Sequence, residues 1–436
     1  MSATGLARQV LRSTVGDYRD AARHFQRPAR RLLAATLLQW VAHAVVGVLF
    51  NLYLVTRGFD TAFVGRAVSA SGLGMALAAL PAGALAERWG RRRSIVAGML
   101  IEAVGLGLRM VTLAPSPILA ASFAFGVGQA MCAISAAPYI AEHSSSRERT
   151  HLFSAFFATE MLAGVAGDSL GGWIPHLLAP VAMLGGLAGA ERLTLFAGAA
   201  LCACAALPLL LMRGYRERSL AHRDATPTRG AHAPLVPIAV NALLIGSGAG
   251  LVIPFMNLYF ARRFGCSTAQ IGTFFGAAQV VTAFAGLLGP LLARRFGRLR
   301  TAVGSQFLSL PFLVTLGAER HLGIAVGAFL IRATLMQAST PLVNAFIMES
   351  LPPALRARST SVNNILWNAG WASSAILSGV LIQHFGYTLP FLITAGLYAC
   401  AATVFFLSFR HLPERPGELR LSEEQKGTRG EGPLTE

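Results

Sequence analysis

Long apolar stretches separated by short polar segments run along almost the whole chain. Many of them approach 20 residues, the length that an α-helix needs to cross about 30 Å of hydrocarbon. Apolar and polar positions do not alternate within them, as they would in the strands of a membrane barrel. The pattern predicts an all-α membrane protein with twelve spans, at residues 32–55, 63–86, 94–114, 117–140, 152–176, 192–212, 235–260, 269–293, 301–317, 322–347, 360–384 and 388–409.

Composition agrees with this class of protein. Of 436 residues, 54% are hydrophobic and 13% are charged, whereas about 25% are charged in an average soluble protein. The net charge of +17 comes mostly from arginines in short segments between apolar stretches. Such residues contact lipid headgroups, so we expect membrane lipids as partners and no nucleic acid. The five cysteines lack metal-ligand spacing, and we expect no metal and no cofactor.

The distribution of basic residues predicts the orientation in the membrane. With the N-terminus in the cytosol, 29 Lys and Arg fall in terminal segments and inner loops, and five fall in outer loops. Cytosolic loops of membrane proteins are enriched in Lys and Arg. The sequence therefore predicts a multi-pass protein of the cytoplasmic membrane, with both termini in the cytosol.

Five segments make up the predicted organisation. A basic segment, 1–31, is either a helix on the inner leaflet or a loose cytosolic tail. Two six-helix bundles, 32–212 and 235–409, flank a cytosolic linker, 213–234, and a disordered cytosolic tail, 410–436, ends the chain. Residues 177–191 are expected to form an apolar outer loop. No segment outside the spans is large enough for a soluble catalytic domain, so we expect no enzyme.

The two halves repeat in parallel. Residues 51–53 read Asn-Leu-Tyr at the end of span 1, and residues 257–259 repeat them at the end of span 7. The basic segment Leu85–Ala97 aligns in the same way with Leu292–Gly304. Parallel repeats of this kind, with a site between the halves, are typical of secondary transporters.

The segment between spans 2 and 3 carries a family signature. Its pattern, Gly83-x-Leu85-Ala86-Glu87-Arg88-x-Gly90-Arg91-Arg92, resembles the signature of the major facilitator superfamily, with Glu in place of the usual Asp. The resemblance covers nearly the whole chain. It implies two pseudo-symmetric six-helix bundles, a small-molecule substrate and transport by alternating access.

The resemblance also implies a conformational latch formed by Gly83, Glu87, Arg88, Gly90 and Arg91. Glu87 is expected near the cytosolic start of span 11, which we predict to begin after the capping residues 359–361. Free N–H groups and a partial positive charge at a helix start attract a carboxylate. The alternative is that the segment only fixes orientation.

Span 5 partly matches a further family pattern, that of antiporters. Its residues 163–172 keep the glycines of Gly-x-x-x-Gly-Pro-x-x-Gly-Gly except the first, and Asp168 replaces the proline. The arginine that proton-coupled members often carry in span 4 is absent, because Phe125 stands there. The corresponding place in span 10 holds Arg332.

Charged groups inside spans are costly and usually face a cavity or a partner. The candidates for proton coupling are Glu160, Asp168, His43 and Arg332. Glu160 lies at mid-span on the glycine-lined face of span 5, and Arg332 is suited to a substrate anion or to a carboxylate. A structural hydrogen bond or ion pair is the alternative for each. Glu102 and Arg109 on span 3 are expected to be structural.

Amides and aromatic rings inside several spans predict a cavity wall that accepts flat apolar groups and offers hydrogen bonds. The candidates are Gln39, Gln129, Asn241, Met256, Asn257, Gln337, Asn344, Asn363, Trp367, Asn368 and Trp371. We therefore predict a secondary transporter, acting as a monomer, for proton-coupled efflux of small amphipathic compounds or drugs. The alternatives are uptake or facilitated transport of a polar nutrient, a lipid flippase, and a non-transporting membrane sensor.

Overall fold

A computed structural model of the chain describes residues 25–145, 148–181, 183, 185–212, 235–350 and 353–411. The predicted linker 213–234 lies outside these residues, as do most of segment 1–31 and of tail 410–436.

Twelve long helices cover almost all of the described residues, one for each predicted span. They are α1 (Arg27–Thr56), α2 (Thr61–Trp89), α3 (Arg91–Val111), α4 (Pro115–Glu142), α5 (Arg149–Leu178), α6 (Leu187–Cys204, with a further turn Leu207–Leu210), α7 (Leu235–Val252 and Met256–Phe264, joined by a 3₁₀ turn), α8 (Thr268–Phe296), α9 (Arg298–Ala318), α10 (Leu322–Ser350), α11 (Pro353–Phe385) and α12 (Thr388–Phe409). We call the face at which α1 begins and α12 ends the terminal face, and the opposite face the far face.

Two bundles with the same internal packing confirm the predicted all-α fold. In the first bundle α2 and α3 pack on α4, α1 packs on α5 and α6, and α6 contacts α3. In the second bundle α8 and α9 pack on α10, α7 packs on α11 and α12, and α12 contacts α9. Each of these contacts in one bundle has its equivalent in the other. The bundles meet chiefly through α2 with α11 and through α5 with α8.

Ten of these helices are both long and apolar enough to cross a membrane, counted over the described residues. The other two, α5 and α8, have 30 and 29 residues and so are long enough. They pack against each other between the bundles. Polar side chains lie in this contact, where Gln279 of α8 donates to Asp168 of α5 at 3.4 Å.

The sequence pattern predicted a basic connecting segment, 87–93, between spans 2 and 3. The structure has no loop there. The structure extends α2 to Trp89 and begins α3 at Arg91, which leaves only Gly90 between them. Gly90 has a φ of 94°, and its counterpart Gly297 between α8 and α9 has a φ of 86°. Residues with a Cβ rarely adopt these angles, so each glycine makes a sharp connection between two helices.

The predicted start of span 11 is also wrong. The helix begins at Pro353, so Ser359, Thr360 and Ser361 lie inside it and are not capping residues. Proline is well tolerated in the first turn of a helix, where its missing N–H has no intrahelical partner to lose. The free N–H groups of α11 are therefore near Pro353, about two turns before the predicted position.

The prediction for span 6 is shifted as well. α6 begins at Leu187, so the expected outer loop 177–191 is shortened from both sides by α5 and α6. Its regular part ends at Cys204. Pro208 accounts for this end, because proline removes the N–H that would bond to the carbonyl four residues earlier.

Candidate functional site: a seam, a cavity and a buried carboxylate

A glycine seam holds the two bundles together in the half of the membrane near the far face. A Cβ on Gly65 of α2 would lie 2.5 Å from the Ala375 carbonyl oxygen and 3.2 Å from Gly379 Cα on α11. A Cβ on Gly172 of α5 would lie 2.5 Å from the Thr268 carbonyl oxygen of α8. Backbones this close leave no room for a side chain, so the seam requires glycine at both places.

Two asparagine side chains join α1 and α7 at the same depth. Asn51 Nδ2 donates to the Pro254 carbonyl oxygen at 2.6 Å. Asn257 Nδ2 donates in return to the carbonyl oxygens of Gly47, at 3.3 Å, and Val48, at 2.8 Å. The break in α7 makes this contact possible, because its 3₁₀ turn frees the carbonyl that Asn51 reaches.

Hydrogen bonds between the bundles follow the seam. Besides the two asparagine contacts, Trp173 donates to Thr273 at 3.2 Å, and Gln279 donates to Asp168 at 3.4 Å. All of these lie near the far face or at mid-depth. The far face is therefore the closed side of this conformation.

A cavity of about 370 Å³ lies beside the seam. Its wall is mostly apolar and comes from α7, α8, α10, α11 and α12, with one residue from α5. The residues around it are Asp168, Ile245, Ala249, Ile253, Met256, Phe275, Ala278, Gln279, Thr282, Phe329, Arg332, Ala333, Met336, Gln337, Thr340, Trp367 and Tyr398. Only Asp168 belongs to the first bundle. Its volume falls in the range of small-molecule sites.

Arg332 is the one cation of the described cavity wall. Its side chain is buried, with 4% of the residue exposed. One guanidinium nitrogen donates to the Tyr398 hydroxyl at 3.3 Å, and Nε has no hydrogen-bond partner. Among the described ion pairs none includes Arg332. The charge thus stands in the wall with few of its donors used.

A second polar group is buried inside the first bundle, away from the cavity. Glu102 of α3 has no exposed surface. Its carboxylate accepts hydrogen bonds from Gln39 Nε2, 2.9 Å from both oxygens, and lies 2.8 Å from His43 Nε2. Cys202 Sγ lies 3.4 Å from the same carboxylate. We call Gln39, His43, Glu102 and Cys202 the carboxylate cluster.

Glu160 lies at the edge of this cluster. Its side chain is partly exposed, and Trp40 and His43 are the groups that interact with its carboxylate. The ring centroids of Trp40 and His43 are 5.7 Å apart. His43 therefore contacts a fully buried carboxylate and is close enough to a partly exposed one to interact with its charge.

Arg109 is buried in the first bundle without a carboxylate. Its guanidinium lies 4.6 Å from the ring centroid of Phe50 and 4.3 Å from that of Phe125. It donates to Ser71 Oγ at 3.0 Å and to the Ser122 carbonyl oxygen at 3.3 Å. Two aromatic faces stabilise the cation in place of an anion, which agrees with the expected structural role.

The residues of the family signature between α2 and α3 differ in their exposure. Glu87 and Arg88 are exposed, and Gly83 contacts Ile134 of its own bundle. Arg91 is partly buried and lies 3.3 Å from Glu142 at the end of α4. Glu87 has no described contact with α11. The side chains of residues 353, 354 and 356–358 at the start of α11 lie outside the described part of the chain, so the latch stays a prediction.

Three predicted cavity residues lie elsewhere. Gln39 belongs to the carboxylate cluster, and Asn257 joins α7 to α1. Asn241 donates to the Ala401 carbonyl oxygen of α12 at 3.1 Å. Each faces a neighbouring helix because an amide in the membrane is satisfied best by a nearby carbonyl or carboxylate.

Some of the remaining predicted cavity residues line the cavity and others do not. Met256, Gln337 and Trp367 line the cavity, as do the predicted Asp168 and Arg332. The described cavity wall does not include Gln129, Asn344, Asn363, Asn368 and Trp371. Trp371 nevertheless supports the wall, because its ring stacks on Trp367 with centroids 5.2 Å apart.

Gln279, Tyr398 and the pairing of Glu102 with His43 are functional candidates that were not predicted from the sequence. Gln279 and Tyr398 are single polar groups in apolar spans, and that signal was present in the sequence. The pairing of spans 1 and 3 has no such signal, because 59 residues separate its two members.

Known proteins share both sequence and fold with this chain. The sequence model of the Major Facilitator Superfamily matches residues 32–375 and 238–434. Multidrug resistance protein MdtH of Aeromonas hydrophila is 27% identical over 188 residues, which are 41% of this chain and 47% of MdtH. This chain thus matches about half the length of MdtH.

Two further similarities extend over most of the chain. The uncharacterised transporter YcaD of Shigella flexneri is 25% identical over 395 residues, covering 89% of this chain and 98% of YcaD. A bacterial homologue of the human lysosomal transporter Spinster has the same fold, with a TM-score of 0.74 and 17% identity. That match covers 88% of this chain and 96% of the homologue.

Paired six-helix bundles of membrane-spanning length, a seam on one face and a cavity between helices are the architecture of a multi-pass membrane protein. The family match covers most of the residues of both bundles. The chain belongs to the major facilitator superfamily.

Proposed function

We propose that this transporter exports small amphipathic compounds from the cytosol in exchange for protons, as a monomer in the cytoplasmic membrane. The observation that carries the proposal is the cavity wall. It combines aromatic and methionine side chains with one carboxylate, Asp168, and one guanidinium, Arg332. Apolar walls with a few polar groups suit compounds that have both an apolar body and a polar group.

The seam at the far face supports transport by alternating access. If the terminal face is cytosolic, as the basic residues predict, a far face held by glycines and asparagines corresponds to a state open to the cytosol. Release to the outside then requires the seam to separate while the bundles close near the terminal face. Such changes of state need only a few kcal/mol.

Glu160 is the proposed site of proton exchange. It is partly exposed, and it interacts with His43, which contacts Glu102. A proton taken up by Glu160 changes the charge beside His43 and so changes the interactions within the first bundle. Asp168 is a second proposed proton site, in the cavity itself, where Gln279 of the other bundle holds it.

Proteoliposomes with an imposed pH gradient test this proposal. We expect amphipathic dyes to be moved against their gradient and to dissipate the pH gradient in proportion. Glu160→Gln should abolish the dye-dependent proton flux, whereas Glu148→Gln, directly before α5, should leave it unchanged. A wild-type protein that moves no protons with any dye would contradict the proposal.

We further propose that Glu87 acts as a latch when the terminal face closes. Its exposure in the present conformation fits a group whose partner is reached only in the other state. The start of α11 at Pro353 moves the expected partner to the N–H groups of its first turn, where a carboxylate is stabilised by about 0.3–1 kcal/mol.

Cysteine accessibility from each side of the membrane tests the latch. Glu87→Gln should reduce labelling from the far face, because the state open to that face loses a contact. Glu87→Asp, which restores the usual family residue, should label like the wild type. Unchanged labelling and unchanged transport in Glu87→Gln would exclude the latch.

A further inference from the structure

Arg332 is buried where a charge is costly, yet the protein uses few of its hydrogen-bond donors. A guanidinium has five N–H donors and stays charged in proteins. The Tyr398 hydroxyl takes one of them at 3.3 Å, and Nε has no partner. Buried charges in membrane proteins normally have a partner or face a cavity, and Arg332 faces the cavity.

Arg109 shows how this chain satisfies a cation that is purely structural. Phe50 and Phe125 lie 4.6 and 4.3 Å from its guanidinium, and a hydroxyl and a carbonyl accept from it. Nε of Arg109 also has no hydrogen-bond partner, so the two arginines differ in their other contacts. Among the described residues, Arg332 has one aromatic face within cation–π distance, that of Tyr398 at 6.0 Å, and one acceptor, the Tyr398 hydroxyl. The contrast indicates that the environment of Arg332 is completed by something outside the chain.

Asp168 is the only carboxylate of the described cavity wall, and it does not pair with Arg332. Its oxygen accepts from Gln279. The two residues also stand apart in the fold. Asp168 is on α5 and Arg332 on α10, and α8 packs against both of these helices. In this conformation the cation is thus available to a ligand.

Around Arg332 the wall is aromatic and apolar. Met256, Phe329 and Trp367 line the same cavity, and Trp371 stacks on Trp367. A flat apolar group fits such a surface, and a carboxylate matches the fork of N–H donors on a guanidinium. We propose that the cavity binds small amphipathic carboxylates, with the carboxylate on Arg332 and the apolar body against these side chains.

This proposal names the substrate class of the cavity and so rests on the proposed function for its biological meaning. Binding itself needs no gradient and no transport. A protein that fails in proteoliposomes but binds carboxylates through Arg332 would contradict only the proposed export. A protein that exports cations and has no preference for carboxylates would contradict only the present proposal.

Isothermal titration of the full chain in lipid nanodiscs, with three matched probes, tests the proposal. The probes are 1-naphthaleneacetate, its neutral amide 1-naphthaleneacetamide, and 1-naphthalenemethylammonium. We expect the wild type to bind the carboxylate about 10- to 100-fold more tightly than the amide, as charge-assisted hydrogen bonds do. Equal affinities, a tightest ammonium, or no binding of any probe would overturn the proposal.

Three variants assign the effect to Arg332. Arg332→Gln should bind the carboxylate no more tightly than the amide, with the affinity for the amide unchanged. Arg332→Lys keeps the charge but not the fork, so it should retain an intermediate preference. Arg66→Gln removes an exposed cation of α2 and should match the wild type. An unchanged preference for the carboxylate over the amide in a folded Arg332→Gln would overturn the proposal. If that variant does not fold, the ratio of carboxylate to amide affinity in Arg332→Lys and in the wild type is the test.

Discussion

The glycine residues of the seam near the far face are the same in both halves of the internal repeat, whereas the residues at the middle of the membrane differ between the halves. Gly65 and Gly272 are 207 residues apart, as are Gly172 and Gly379, and both pairs make the same close contacts. At mid-depth the same spacing matches Glu102 with Ser309 and Glu160 with Trp367.

The difference follows from what each region does. Closing one face brings both bundles together about a pseudo-two-fold axis, so any contact made by one bundle is made equally by the other. Side chains that bind a ligand or a proton need not be the same in both bundles. The first bundle holds the carboxylates and the histidine, and the second holds most of the cavity wall and its arginine. Symmetric motion can therefore couple two different sites.

Removing Glu102 tests the asymmetry and should have the largest effect. Glu102→Ala leaves the buried Gln39 amide and His43 without their acceptor, and we expect a loss of about 3 kcal/mol in the free energy of unfolding. The equivalent Ser309→Ala removes only a hydroxyl that bonds to Gln306 within its own helix at 2.7 Å. It should cost less than about 0.5 kcal/mol.

Chemical denaturation in detergent micelles measures both variants. Similar losses for Glu102→Ala and Ser309→Ala would break the comparison, because they would mean that the two bundles are equally sensitive at this depth.

Filling the seam tests the symmetry. A leucine at Gly172 overlaps the Thr268 carbonyl and Gly272, and we expect it to destabilise the closed far face by about 2 kcal/mol. Gly379→Leu should do the same, because its contacts with Thr61 and Gly65 are equivalent.

Spin labels at Leu113 and Phe385, both exposed near the far face, measure the opening by their separation. Both seam variants should shift the population towards longer distances. Gly107→Leu is the matched control, because a Cβ there meets nothing within 4 Å. A shift in only one seam variant would show that the two seams are not equivalent.

The asparagine contacts offer a finer test of the same symmetry. Asn51→Leu removes one hydrogen bond to α7 and should cost the closed far face about 1 kcal/mol. Asn257→Leu should cost somewhat more. Its Oδ1 also accepts from the Leu258 N–H at 2.8 Å, next to the break in α7.

The same spin-label distances, compared between single and double variants, measure this effect. We expect the two losses to add, since each asparagine bonds to a different carbonyl. A strongly non-additive pair would indicate that the two contacts form and break as one unit.

The contrast between seam and mid-membrane also explains what the sequence could predict. The lengths of the apolar stretches predicted the helices, and the repeated Asn-Leu-Tyr sequence predicted the similarity of the two halves. Asn257 was interpreted as a cavity residue, although the recurrence of this asparagine in both halves is what a contact between the halves requires. Symmetric positions can be recognised in sequence, but their partners become visible only when the two halves are brought together.

Mid-membrane groups were predictable only one at a time. Asp168 and Arg332 stood out as charges in apolar spans, and both line the cavity. The role of Glu102 depends on its packing against Gln39 and His43, which spacing along the chain does not reveal. The start of α11 was missed because residues 359–361 resemble a cap, while the true start uses Pro353.

The smallest expected effect concerns a pair of equivalent turns at the far face. In one turn Thr112 Oγ1 accepts from the Ala114 N–H at 3.0 Å, and in the other Glu319 Oε1 accepts from the His321 N–H at 2.8 Å. The His321 N–H, followed by its ring and the Arg320 N–H, lowers the pKa of Glu319 from 4.5 to about 2. Only the second turn can therefore respond to pH.

A lowered pKa in the folded protein adds stability above the ordinary pKa, and this stability is lost as the pH falls towards the folded value. We expect the wild type to lose a small part of its thermal stability between about pH 5 and pH 2 that Glu319→Thr, which copies the Thr112 turn, does not lose. Melting curves of the two proteins at matched pH measure this difference. Parallel loss in both would mean that the two turns are equivalent in chemistry as well as in place, and that the symmetry of the far face extends to its charges.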